Sequence, residues 1–414
     1  MGLLNPPTAI VIAFCLLGLM LYKRVKLGIT LNVTALALAL LSLEWQQIPS
    51  VIYETTVSLL TIAVVLATFA IMFLSQLYKE TGYIKRLSTS LSKILNSPKI
   101  VLGLIPAIIG FLPVAGGALM SAPIVDTEGE KLKLNSEKKS YVNIWFRHTI
   151  FPVYPVSQLP IAASAFLGVP ISILILRQIP VVIVMVVVGY FFSFWRASKV
   201  QSKENSDADA NLNSNLKSFL ISFLPILTTI LVVVFFSLVN VGLPEQNLPV
   251  LIATLVGIAV LIGISKTSLH TIAEPLKKWA VYDVTLAAYG AFLLRNTIIE
   301  AGINNIFQEL ITSGSLDITY IVVVVPTILG FLTGSPLTGI SISASILPLS
   351  IVSLPQTAAM IYIGAYLGYV IGPTHLCFAF TLDYFKSSIE KVYKYLIPSF
   401  LITFAVTLAI YFKI

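Results

Sequence analysis

Apolar stretches long enough to cross a bilayer alternate with short polar connectors along almost the whole chain. In the first half they cover about residues 7–22, 27–43 and 53–78, then 98–126, 139–168 and 171–195. The second half runs in the same order, at about 218–240, 248–264, 279–300, 318–352, 356–385 and 392–412. The fourth and fifth stretches of each half are interrupted by helix-breaking residues, at Pro113–Gly117, Pro152–Pro155, Thr333–Gly339 and Gly372–His375. In lipid, a broken helix is tolerated only where protein or a water-filled cavity takes up the freed backbone groups. Residues 82–96 alternate apolar with basic or hydroxyl side chains at a helical period, which predicts a helix lying along the interface. A short segment at 302–313 reads as a surface element, and 198–217 is a polar linker.

The two halves are copies. Pro106, Ile108, Gly110, Phe111 and Leu112 recur as Pro326, Ile328, Gly330, Phe331 and Leu332, all at an offset of 220 residues. Each half therefore reads as five crossings plus one re-entrant hairpin, and an odd number of crossings turns the second copy upside down. The expected fold is an all-α integral membrane protein of two inverted-topology repeats, residues 1–197 and 218–414, with broken helices at the midplane.

Composition agrees with burial in lipid: 57% of residues are hydrophobic and 11% charged, where soluble domains carry about 25% charged. The net charge of +8 would suit nucleic acid, but the basic residues fall in short connectors and act as topology signals. With the N-terminus outside, 22 of the 26 Lys and Arg lie on the cytoplasmic side. That distribution predicts a multi-pass protein of the cell membrane with both termini outside, whose macromolecular environment is the lipid bilayer rather than nucleic acid. Lys23, Arg24 and Lys26 follow the first apolar run instead of preceding it, which argues against a cleaved signal peptide. Cys15 and Cys377 lie inside apolar segments and offer no disulfide framework or zinc motif, so no metal ligands are assigned. An intramembrane hydrolase would need a signature such as HExxH, and the chain has none; its three His stand on separate segments. A nucleotide-driven pump is disfavoured by the lack of a GxxxxGK[ST] loop.

Paired interruptions in the two halves point to a transport site. At each break, starting half-helices offer N–H groups to an anion and ending ones offer C=O groups to a cation. Pro113, Gly116 and Gly117 form the first tip, and Thr333, Gly334, Ser335, Thr338 and Gly339 the second. Their glycines allow close backbone approach and their hydroxyls, with Ser121, add contacts. Small residues also serve close helix packing, the favoured role for Gly364, Gly368 and Gly372. Arg147 is a cation placed deep in an apolar run, about one turn before the Pro152 break. It can bind a carboxylate in a bidentate fork, pair with Asp126, or snorkel to the inner surface. His148 and His375 can carry a coupling proton, while Tyr154, Ser157, Gln158 and Thr374 can line the cavity. Asp126 and Asp283 are weaker candidates for cation coupling.

With these hairpins and breaks in place, the chain resembles the ion transporter superfamily of divalent-anion/sodium symporters, gluconate and citrate permeases, arsenite pumps and some sodium/proton antiporters. It is most similar to an uncharacterised membrane family within that group, which carries a GFLPVAGG-type hairpin like the one at Gly110–Gly117. The resemblance implies a dimeric secondary transporter that holds substrate between two hairpin tips and two unwound helices and works by an elevator movement. Dicarboxylate symporters carry Ser-Asn-Thr at both tips; here the tips read Pro113-Val-Ala-Gly-Gly117 and Thr333-Gly-Ser-Pro-Leu-Thr338, without Asn. The expected function is secondary transport of a small organic anion, a carboxylate, coupled to Na+ or H+ and needing no other cofactor. A cation/proton antiporter is the alternative, and it would need a carboxylate at the breaks.

Overall fold

The computed structural model describes residues 2–95, 97–112, 117–195, 212–239, 243, 245, 247–315 and 317–412. The tip residues Pro113 and Gly116, and most of the expected linker, lie outside them. Every regular element among the described residues is helical.

The chain begins with α1 (Pro6–Tyr22), α2 (Leu27–Ser42), α3 (Gln47–Val57) and α4 (Leu59–Glu80). The third apolar run is thus two helices, divided at Ser58, whose hydroxyl receives the Thr61 N–H. Gly82, at φ +73°, turns the chain from α4 into α5 (Tyr83–Ile94). That helix buries Tyr83, Ile84, Leu87 and Leu91 and exposes Lys85, Arg86 and Lys93, the amphipathic pattern read from its sequence. The first hairpin is α6 (Pro98–Gly110) and α7 (Ala118–Lys131). The first broken span is α8 (Ser136–Arg147), a 3-10 turn at Phe151–Val153, and α9 (Gln158–Leu167), bent by 47°. α10 (Ile171–Phe194) follows.

The second half holds α11 (Leu212–Val239), α12 (Leu248–Ser265), the short α13 (Leu269–Ala273), a 3-10 turn at Glu274–Lys277, and α14 (Trp279–Glu300). His270 sits in α13 at the surface beside Glu274. Gly302, at φ +69°, turns α14 into α15 (Ile303–Thr312). It stands 220 residues from Gly82 and makes the same turn, although nothing in the local sequence singled out either glycine. The second hairpin enters through a π-helical turn, Tyr320–Val324, and comprises α16 (Val325–Thr333) and α17 (Pro336–Ile346). Then come α18 (Leu349–Val352), the second broken span α19 (Pro355–Ile371) and α20 (Leu376–Phe385), and α21 (Ile389–Phe412).

Among the described residues, six spans are long and apolar enough to cross a membrane: α4, α10, α11, α12, α19 with α20, and α21; the bent α8–α9 pair makes a seventh. Their outer faces expose large apolar side chains such as Leu176, Val187, Leu231 and Leu401, as a lipid solvent requires. The chain is an all-α membrane protein. α1 and α2 are shorter apolar helices, and α2 packs along α14.

Two groupings position the site. α2, α4, α12 and α14 pack on one another, with α1 against α2 and α11 against α12. In the other, α6 lies against α8 as α16 lies against α19, while α7 packs on α20 as α17 packs on α9. Each hairpin therefore touches the first half of one broken span and the second half of the other. Gly330 and Gly368 make the α16–α19 contact so close that a Cβ on either would run into the carbonyl of Ala365 or Thr327. Gly364, beside Thr327, and Gly372, beside the Phe331 carbonyl, belong to the same seam, the packing role expected for them.

Candidate functional site

The first broken span ends earlier than its prolines suggest. α8 stops at Arg147, so Arg147 and His148 stand at the break itself rather than a turn before it. The carbonyls freed there are taken up by α19: the Tyr366 hydroxyl donates to His148 O, and the Tyr362 hydroxyl to Pro152 O at 3.2 Å. Two tyrosines one helical turn apart thus seal the break against the facing span, a pairing no local motif announced.

Arg147 is 1% exposed and points at the first hairpin tip. One Nη2 bond to the Leu112 carbonyl, at 3.3 Å, is its hydrogen bond among the described residues; Nε and Nη1 are buried and unpartnered. Gly117 makes room for it: a Cβ there would overlap the guanidinium, coming within 2.7 Å of Cζ. Gly117→Val should displace the arginine fork while the protein is still purified as a folded species, so any small anion that stabilises the wild type against heat should stabilise this variant much less. An unchanged stabilisation would remove the first tip from the site.

The Arg147–Asp126 pair, one of the alternatives open in the sequence, is not formed. Asp126 instead binds Lys139 Nζ at 2.6 Å near the end of α7. Asp283 is also placed away from the breaks, accepting the Gly28 N–H at 3.0 Å where α14 meets the start of α2. Neither carboxylate reaches the junction of the breaks.

At the second tip, Gly334 adopts φ +61° to end α16, and a Cβ there would come within 2.7 Å of Thr374 Oγ1. The Thr333 hydroxyl accepts the Ser335 N–H at 3.2 Å, and the Ser335 hydroxyl caps α17 by accepting from Thr338 N. The break is shorter than the Thr333–Gly339 read from sequence, because α17 starts at Pro336. Gly339 accordingly lies within α17 and serves packing: a Cβ there would meet Pro326 O at 2.8 Å and Ala365 Cβ at 2.9 Å. Thr374 reaches back to the tip through a 3.4 Å bond to Leu332 O.

The two breaks meet through their histidines. The His148 and His375 rings stand edge to face with centroids 5.2 Å apart, and Tyr369 packs on both, at 5.4 and 4.6 Å. Each His holds its Nδ1 against a backbone carbonyl, Ile144 O at 2.6 Å and Gly372 O at 2.8 Å. A carbonyl can only accept, so both rings carry a proton on Nδ1, and in the neutral form each keeps its lone pair on Nε2. Cys377 lies beside them: one ring nitrogen of each His and the Cys377 Sγ all fall within 4.8 Å of one another. In the sequence these residues stood on separate segments with no metal-ligand spacing, and only the meeting of the two breaks joins them.

Further sequence candidates line the surroundings. Tyr154 packs edge-on against Phe111 at 4.8 Å, below the first tip. Ser157 caps α9, and the Oε1 of Gln158 is buried without a partner. Thr338 Oγ1 and Ser343 Oγ are likewise buried and free among the described residues. Ser121 is drawn away from the tips into a polar cluster, donating to Asn143 Oδ1 at 2.6 Å while Asn143 Nδ2 donates to Ala118 O and Thr381 Oγ1. Asn143 is fully buried and ties α7, α8 and α20 together; a lone Asn in an apolar run was the signal for it. A separate cleft of about 310 Å³ opens among Arg177, Thr319, Gln356 and Phe412, away from the breaks.

No curated protein matches the chain. The model of one family matches residues 8–414, nearly its whole length, and the chain belongs to that family, DUF401, described as proteins of unknown function.

Proposed function

We propose that this protein is a secondary active transporter for a small organic anion, a carboxylate, driven by a proton or sodium gradient. The observation that carries the reading is Arg147. A permanent cation, nearly fully buried at the junction of a hairpin tip and a helix break, keeps two of its guanidinium nitrogens free and has no carboxylate partner among the described residues. Such a group is costly without a counter-ion, and the fork of free N–H groups matches a carboxylate. Asp126 and Asp283 are engaged elsewhere, which counts against the antiporter alternative.

The fold supports the mechanism through its pairings. The hairpin contacts exchange between halves, and Gly82 and Gly302 repeat one turn at the hairpins' own offset, as two inverted repeats of five crossings and a re-entrant hairpin would. Their broken helices then meet at mid-membrane, where transporters of this kind hold substrate. In this reading the hairpins and broken spans move as a unit against a frame of α2, α4, α12 and α14, and a second copy steadies the frame. The scheme also accounts for the charge distribution, with the basic connectors on the cytoplasmic side of the cell membrane and both termini outside. The likeness to the ion transporter superfamily points the same way.

Thermal unfolding of the purified protein against small carboxylates, sugar acids and oxyanions, in sodium or potassium and at two pH values, tests the proposal. One anion class should raise the midpoint, by an amount that grows with the logarithm of its concentration above Kd. A midpoint that responds to cations or pH alone would put the antiporter in its place.

A further inference from the structure

We infer that His148, His375 and Cys377 form a binding site for a thiophilic monovalent d10 cation, Cu+ or its redox-inert equivalent Ag+, at the junction of the two broken spans. Three observations converge. A ring nitrogen of each histidine and the cysteine sulfur lie within 4.8 Å of one another, a span that one ion between them can bridge with modest closure. The tautomers are fixed for metal binding, because both Nδ1–H groups donate to backbone carbonyls and leave Nε2 lone pairs directed elsewhere. Finally, His375 is 3% exposed and its Nε2 is buried with no partner among the described residues, while His148 Nε2 has only a long 3.3 Å contact with the Tyr369 hydroxyl. One buried acceptor without a partner, a second held only by that contact, and a thiol beside them would all be satisfied at once by a cation.

Ligand type and local charge choose the ion. Two imidazoles and one sulfur suit a soft or borderline metal, and exclude the hard, oxygen-seeking Na+, Mg2+ and Ca2+. Binding converts Cys377–SH and M+ into Cys377–S–M with release of one proton, so a monovalent ion leaves the site neutral. A divalent ion would leave a net positive charge next in sequence to the buried Arg147, at high cost away from water. The site goes beyond the anion reading and stands without it, since metal binding is measured on the resting protein with no transport step.

The test is silver retention by the purified protein in chloride-free detergent buffer, with Cys15→Ala as background so that Cys377 is the sole thiol. After desalting, that protein should hold one Ag+ per chain and release one proton on binding. Cys377→Ser should hold none, and His375→Asn and His148→Gln should each weaken retention at least tenfold. X-ray absorption at the silver edge should report both nitrogen and sulfur neighbours. Equal silver in the Cys377→Ser protein would overturn the site, as would histidine variants that bind like their parent, since the thiol alone would then account for binding. Displacement of Ag+ by equimolar Zn2+ would overturn the preference for a monovalent ion. A histidine variant that does not fold is replaced by nitrogen scattering in the parent, whose absence equally defeats the proposal.

Discussion

Replacing Arg147 with methionine is expected to abolish anion binding and, at the same time, to raise the thermal stability of the ligand-free protein. The two effects share one cause. Among the described residues the buried guanidinium leaves Nε and Nη1 unpartnered and makes a single long bond to Leu112 O. Leaving buried polar groups unsatisfied costs about 1–3 kcal/mol, more when they are charged. Methionine fills similar space without a charge, so removing the arginine should return about that much. With an anion bound, the balance reverses, because stripping one member from a buried charge pair costs about 3–5 kcal/mol, and every 1.4 kcal/mol is about tenfold in affinity. The variant should therefore lose about two to four orders of magnitude in affinity for whichever anion class stabilises the wild type. Paired melts with and without that anion read both quantities. A lower midpoint with unchanged anion response would make Arg147 a structural residue and withdraw the transport reading's main support.

Gly368→Leu is expected to be the most damaging change outside the site. The α16–α19 seam has backbone facing backbone: a Cβ at Gly368 would collide with the Thr327 carbonyl, and one at Gly330 with that of Ala365. A carbonyl cannot swing aside as a side chain can, so the helices must part. Overpacking of a tight core typically costs about 1–3 kcal/mol, and a backbone clash belongs at or above the upper end, about 3 kcal/mol. Parting α16 from α19 also carries the second tip, Thr333–Ser335, away from Thr374 and His375, so residual folded protein should be inactive. Gly263→Leu is the control. A Cβ there meets nothing within 4 Å, and the change should stay within about 0.5 kcal/mol. Equal midpoints for the two variants would mean that the seam yields, and the rigid hairpin mount would have to be given up.

Much of the architecture was legible before any coordinates, because lipid leaves the chain few choices. Backbone groups must be satisfied within helices, so apolar length alone placed most of the helices, and the cluster Gly372-Pro373-Thr374-His375 placed the break between α19 and α20. Proline was a less exact guide in the first broken span, where α8 ends at Arg147 while Pro152 opens the following turn. The helix yields there because Tyr362 and Tyr366 of α19 accept the burden of its free carbonyls, a contact between residues more than two hundred positions apart. The same limit explains Asp126. Sequence offered it to Arg147 on grounds of charge, and the fold pairs it with Lys139 in the first turn of α8.

The sequence by itself determined that this is a helical membrane protein, that five residues of one interrupted apolar run recur 220 positions further on, and that a cation lies deep within an apolar run. These follow from local rules: hydropathy over a span's length, breaker residues, and the cost of charge in lipid. Only the tertiary structure decided which side chains share the centre. Whether Arg147 faces a carboxylate or open donors, and whether His148 and His375 are strangers or neighbours of Cys377, depends on how hairpins and broken spans from opposite ends of the chain interlock. That packing is set by close contacts such as Gly330 on Ala365 and Gly368 on Thr327, whose partners no local pattern in the chain can name.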